Sequence, residues 1–192
     1  MRVIAGAAGG IRLDVPKTEV RPTMDRVKAA IFSSLGDEVI GARVLDLFAG
    51  TGSLGIEALS RGAASVLFVE ENFAAAAAIE RNLARTKLEG RVRKQDVFAF
   101  LRGAGTRDRF QIIFADPPYE KTKSGGEFTR LLLEDPQLAE MIEPSGIFVL
   151  EKRPTEKMPA LPLWGVTRAR KYGSTEVLFL QRTNVLLAPR AL

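Results

Sequence analysis

Four consecutive residues, Asp116-Pro117-Pro118-Tyr119, carry the strongest chemical signal in this 192-residue chain. Two prolines in a row remove two backbone donors and stiffen the chain, so no local N–H competes for the Pro117 carbonyl. With the Asp116 carboxylate, that carbonyl sets two acceptors on one spot. A planar NH₂ group would donate one hydrogen to each. Held this way, its nitrogen lone pair is drawn out of the ring plane and aimed at an incoming methyl group. Tyr119 follows as a stacking face for a base, worth about 1–3 kcal/mol. The structural alternative is a rigid turn at a strand end.

A second constellation addresses the methyl donor. The stretch Asp46-Leu47-Phe48-Ala49-Gly50-Thr51-Gly52-Ser53-Leu54-Gly55 ends one apolar run and opens a helical pattern. Gly50 and Gly52 let the backbone turn tightly and approach a ligand closely. The stretch satisfies G-x-G-x-x-G, which dinucleotide sites also use. Asp46 separates the two readings, because a carboxylate here would repel a pyrophosphate and attract an ammonium or a sulfonium. Asp46, Phe48, Gly50, Thr51 and Gly52 thus favour S-adenosylmethionine, with S-adenosylhomocysteine as product, over a nicotinamide cofactor. The alternative is a structural turn. Glu70 closes the apolar run 66–69 and can accept both ribose hydroxyls of an adenosine, or face solvent. Asp96 can accept from an adenine amine while Val97 touches the ring. Asp96 can also cap the next helix.

Composition narrows the chemistry. The chain has no cysteine and no histidine. Disulfides, thiolate nucleophiles, a Ser-His-Asp triad, a His base and Cys- or His-based metal sites are excluded, and no metal is called for. Transfer from a sulfonium to an exocyclic amine suits such a chain, because it needs alignment and electrostatics more than a strong base.

The elements that must position these residues alternate along the chain. Strands are expected at 44–48, 65–70, 91–94, 110–115 and 146–151, and a closing antiparallel pair at 164–172 and 176–181. Helices are expected at 53–61, 73–86, 97–101 and 127–133. This order predicts an α/β, Rossmann-like, doubly wound and mostly parallel sheet, whose ligands bind beyond the carboxyl ends of its strands. A glycine-rich hairpin over 2–15 and a helix capped by Thr23 precede it. The expected division is residues 1–38 as hairpin and helix extension, 39–182 as catalytic domain and 183–192 as tail. The apolar content of 46% supports a real core, and no apolar run approaches membrane-span length. A cytoplasmic monomer is expected.

Charge is unevenly placed. Residues 1–28 hold six basic and three acidic side chains, residues 29–151 fourteen and eighteen, and residues 152–192 eight and two. Basic ends around an acidic middle suit a polyanion, if the ends meet on one face. Arg168, Arg170 and Tyr172 alternate along one strand and share a face that can hold an RNA backbone, or that merely protects a sheet edge by charge. Arg26 flanks the first helix start.

Together these motifs resemble the amino-methylating S-adenosylmethionine-dependent methyltransferases. The segments Arg2-Val3-Ile4-Ala5-Gly6 and Arg21-Pro22-Thr23-Met24-Asp25-Arg26-Val27 resemble one family among them, the RsmD-like 16S ribosomal RNA (guanine-N2)-methyltransferases. The resemblance implies a class I methyltransferase fold with a seven-stranded sheet. It also implies 16S rRNA, or the small ribosomal subunit, as partner. Arg21 and Thr23 would stand beside the cofactor or target pocket, and Lys171-Tyr172-Gly173 near it on the last hairpin. The same amine motif serves adenine N6 and cytosine N4 on DNA or RNA. Only 64 positions separate Gly52 from Asp116, and 73 residues follow Tyr119, which leaves no room for a large target-reading domain. Structured RNA is favoured on that ground. A non-catalytic RNA-binding module would explain the basic ends but not Asp46 or Asp116. The polar loop 120–127 is expected to close over a flipped base.

Overall fold

Runs such as Ser65-Val-Leu-Phe-Val-Glu70 are apolar on both faces, as strands covered by helices on two sides must be. The computed structural model describes residues 1–15, 23–103, 108–118 and 127–183. Arg21, Tyr119, loop residues 120–126 and nearly all of the tail lie outside them, as do the side chains of Thr23 and Met24. Five parallel strands, β1 (Arg43–Leu47), β2 (Ser65–Glu70), β3 (Arg91–Lys94), β4 (Phe110–Ala115) and β5 (Ile142–Lys152), alternate with helices. Two further strands, β6 (Trp164–Tyr172) and β7 (Thr175–Arg182), close the sheet. The order is β3-β2-β1-β4-β5-β7-β6, with β7 antiparallel to both neighbours. This is the expected Rossmann-like methyltransferase sheet.

Strand parity makes two cores. Val44, Phe68, Ile112, Phe114, Val149 and Val177 face α1 (Thr23–Leu35), α2 (Ser53–Ser60) and α3 (Phe73–Thr86). Leu45, Val69, Ile113, Phe148 and Leu150 face α4 (Val97–Gly103), α5 (Glu127–Glu134) and α6 (Pro136–Met141). No helix among the described residues is long and apolar enough to cross a membrane.

Three local details differ from the sequence reading. The N-terminal hairpin has a single bridge, Arg2 to Arg12, rather than two full strands. The reason is that the Ile4 and Ala5 N–H groups donate to the Glu57 carboxylate at 2.7 and 3.0 Å, so a ladder cannot use them. β5 starts four residues early, at Ile142. Helix α6 was not foreseen, although Asp135 caps it by accepting from the Gln137 and Leu138 N–H groups.

Helix α2 lies close on the sheet because Gly55 has no side chain. A Cβ there would run into the Phe68 ring and come within 2.8 Å of Val66. Gly55→Ala should therefore cost about 1–3 kcal/mol of stability in a urea titration. Gly103→Ala, where a Cβ would meet nothing within 4 Å, should be close to neutral. Equal effects would contradict this packing account.

Candidate active site

The carboxyl ends of β1, β2, β4 and β5 carry an acidic crest. Val44, Phe114 and Val149 all point into the first core. Asp46, Asp116 and Glu151 stand two residues beyond them and so share their face. Asp46 pairs with Phe114, and Ala115 with Leu150. Continuing that register makes Asp116 and Glu151 level neighbours, roughly 5 Å apart at the backbone, with Asp46 one pleat repeat, roughly 7 Å, below.

The loop from β1 into α2 is built by backbone geometry. Phe48, Gly50 and Gly52 take left-handed φ values of 54°, 55° and 79°. Glycine does so freely, whereas Phe48 pays roughly 1–2 kcal/mol for it. Glu70 holds the turn from the next strand. Its Oε2 accepts from the Gly50 N–H and its Oε1 from the Asn72 N–H, both at 2.8 Å. Asp46 Oδ2 accepts from the Gly55 N–H at 2.9 Å, in the first turn of α2. Asn82 on α3 donates to the Thr51 carbonyl at 3.0 Å. Half-buried against the second core, Phe48 joins Phe98 and Phe128 in an aromatic group with centroids 5.7–6.1 Å apart.

The crest is electrostatically frustrated. Burial pushes the Asp46 carboxyl up to about 8, against the pull of its Gly55 bond, and the Asp116 and Glu70 carboxylates raise it further. Glu151 is held well above the ordinary carboxylate range, first by burial and then by Asp116 and Asp46. Like charges so arranged are the complement of a cation, since a positive group restores the charged forms that burial and repulsion disfavour.

The structure brings together Asp46, Phe48, Gly50, Thr51, Gly52, Glu70, Asp116, Pro117 and Pro118. Of these, Asp46, Thr51 and Glu70 are buried, which removes the solvent-facing reading of Glu70. Pro117 is buried and Pro118 exposed. Asp96 Oδ1 accepts from the Ala99 N–H at 2.7 Å and so caps α4, while Val97 is buried in the second core.

One residue of the basic C-terminal segment reaches the far end of α1. Arg168 on β6 donates to the Ser34 carbonyl at the end of α1, at 2.9 Å, and lies over the Phe179 ring. Arg170 and Tyr172 follow on the same face, and Lys171 turns to the other. Arg168, Arg170, Lys171 and Arg26 are exposed. Two features escaped the sequence reading. Glu151 ends its apolar run as Glu70 does, and that parallel was the available signal. Lys28 is buried beside Glu57 at 3.5 Å and donates to the Arg2 carbonyl and Ser53 Oγ. Nothing in the spacing pairs residues 28 and 57.

Sheet order and the glycine turn at the crest define a Rossmann-like methyltransferase. Residues 1–181 match the model of the family described as Conserved hypothetical protein 95, and the chain belongs to that family. It is 38% identical over 187 residues to YlbH of Bacillus subtilis, named as an rRNA methyltransferase, covering 95% of this chain and 99% of that one. It is 34% identical over 185 residues to ribosomal RNA small subunit methyltransferase D of Escherichia coli K12, covering 95% and 90%. Among solved structures, a Thermus thermophilus 16S rRNA N2 methyltransferase (RsmC), in complex with AdoMet and guanosine, superposes with a TM-score of 0.69. Identity is 26%, and the match covers 86% of this chain and 44% of that one.

The crest has a pH signature without any ligand. Folded, Asp46 keeps its proton up to about pH 8, whereas an unfolded Asp loses it near 3.8. Between those values the unfolded state binds fewer protons, so this group makes stability fall as pH rises. Asp46→Asn should therefore be more stable relative to wild type at about pH 8.5 than at about pH 4, by a few kcal/mol in urea titrations. A difference independent of pH would contradict the raised Asp46 pKa.

Proposed function

We propose that the protein transfers a methyl group from S-adenosylmethionine to the exocyclic N2 amine of a guanine in 16S rRNA, within the small ribosomal subunit or its assembly intermediate. The observation that carries this reading is the placement of Asp116-Pro117 level with the β1 turn, on the face that holds the buried Asp46. The amine-holding acceptors and the cation-seeking carboxylate thus occupy one crest. The names of the relatives, and the 16S rRNA N2 methyltransferase among the structural neighbours, point the same way.

The residues fit the cofactor. Asp46 is a buried acid whose charge needs a positive partner. A Cβ at Gly50 would enter open space, so backbone and ligand can approach there. When bound, S-adenosylmethionine supplies an electrophilic methyl on a cationic sulfur. Asp46, Phe48, Gly50, Thr51 and Gly52 hold its methionine end, with Arg21 and Thr23. Glu70 keeps the turn in shape and has lone pairs left for ribose hydroxyls, while Asp96 and Val97 mark the adenine end. Asp116 and the Pro117 carbonyl accept the two amine hydrogens and fix the nitrogen lone pair toward the donor. Pro118 stiffens the segment, and Tyr119 stacks on the base. Arg26, Arg168, Arg170, Lys171 and Tyr172 receive the RNA backbone. Residues 39–182 form the catalytic unit and 1–38 an extension that completes it. The protein works as a cytoplasmic monomer.

The test is methyl transfer from labelled cofactor to small subunits lacking the modification, to protein-free 16S RNA and to duplex DNA, with nucleoside analysis. N2-methylguanosine in a ribosomal lane is expected, and N6-methyladenine in DNA would overturn the assignment. Asp116→Ala should lower turnover at least about a hundredfold while cofactor affinity survives. Gly52→Val should damage cofactor binding first, because φ is +79° and a Cβ lies 3.1–3.2 Å from Ile79 and Ile56. The reverse pattern would contradict the division of labour.

A further inference from the structure

Glu151 is the one acid of the crest that the reading above leaves without a task. It stands near the carboxyl end of β5, shares a face with Asp46 and Asp116, and pairs with Val177 of β7, whose side chain offers it nothing polar. Among the described residues, the Glu151 side chain makes no hydrogen bond and no ion pair, although its backbone pairs in the β5–β7 ladder. Its charged neighbours are Asp116 and Asp46, both of its own sign. Asp46 has the Gly55 N–H and Glu70 has two backbone donors. A partly buried carboxylate kept in such company has to be satisfied by something that arrives.

We infer that Glu151 reads the target base, accepting the N1–H of a guanine whose N2 amine is held by Asp116 and the Pro117 carbonyl. This rests on the function proposed above and deepens it. The level register of Asp116 and Glu151 suits two adjacent donors on one edge of a ring. Guanine has that edge, with N1–H directly beside the N2 amine. Adenine N6 and cytosine N4 each stand next to a ring nitrogen that bears a lone pair, which a carboxylate would repel. Glu151 therefore selects by attraction and by repulsion together, as discriminating sites do. Arg170, which pairs with Val177, follows two strands further along the same row, roughly 10 Å away, within reach of a phosphate flanking the flipped base.

The decisive comparison uses wild type and Glu151→Gln on 16S substrates carrying guanine or 2-aminopurine at the modified position. The analogue keeps the N2 amine but has a lone pair at N1, to which a glutamine amide can donate. Wild type should prefer guanine by about tenfold or more. In the variant, kcat/KM on guanine should fall about ten- to a hundredfold, and on 2-aminopurine much less. Calorimetric affinity for S-adenosylmethionine should stay within about threefold of wild type. An unchanged guanine-to-analogue ratio would overturn the role of Glu151, as would a loss of cofactor affinity matching the loss of activity. If wild type makes no N2-methylguanosine at all, the functional reading fails and this inference with it. The wild-type guanine reaction thus reports on one claim and the ratio on the other.

Discussion

Carboxylates that repel one another are the constraint around which this molecule is organised. Asp46, Asp116 and Glu151 share a face because three neighbouring strands keep the same parity, with Val44, Phe114 and Val149 two residues earlier in one core. A shift of one residue in any strand would turn its acid to the other face. The parallel register is thus as much a part of the site as the acids. Burial sets its electrostatics, raising Asp46 and Glu151 above the range of free carboxylates. A ligand-free crest of this kind costs stability, and natural proteins keep such costs at functional sites.

The rest of the fold keeps the crest in register. Glu70 and Asp46 fasten the β1–α2 turn through backbone N–H groups. Glu57, fully buried on α2, gathers the N-terminal hairpin through the Ile4 and Ala5 N–H groups and pairs with Lys28 and Arg61. The Lys28 pKa is lowered by burial and sustained by Glu57. Removing one partner of such a network strands the other charges, which is why α1, α2 and the hairpin hold together. Arg168 then ties β6 to the end of α1.

Much of this was legible in the residues. Strand ends at 70, 94 and 115 coincide with the boundaries expected from apolar runs, because buried parallel strands leave an unbroken signal. Glu70 and Asp116 were found since each closes such a run, and Asp46 because it stands four residues before Gly50 of the glycine turn. Glu151 ends another apolar run and was passed over, because no motif surrounds it and only register shows that it stands beside Asp116. The short helix α6 hid because a six-residue helix has little periodicity. The hairpin was over-read as a ladder, since Glu57, fifty-two residues away from Ala5, takes its donors. Long-range polar partners of this kind leave no local trace.

The claim that the crest awaits a cation has a direct thermodynamic consequence. Near pH 7 the Asp46 carboxyl, pushed up to about 8, holds its proton, and a sulfonium placed beside it should expel it. Calorimetric titration of S-adenosylmethionine and S-adenosylhomocysteine in buffers of different ionisation enthalpy counts the protons released. The account predicts net proton release with S-adenosylmethionine and a smaller release with the neutral thioether. Equal counts for the two ligands, or no release with either, would contradict it.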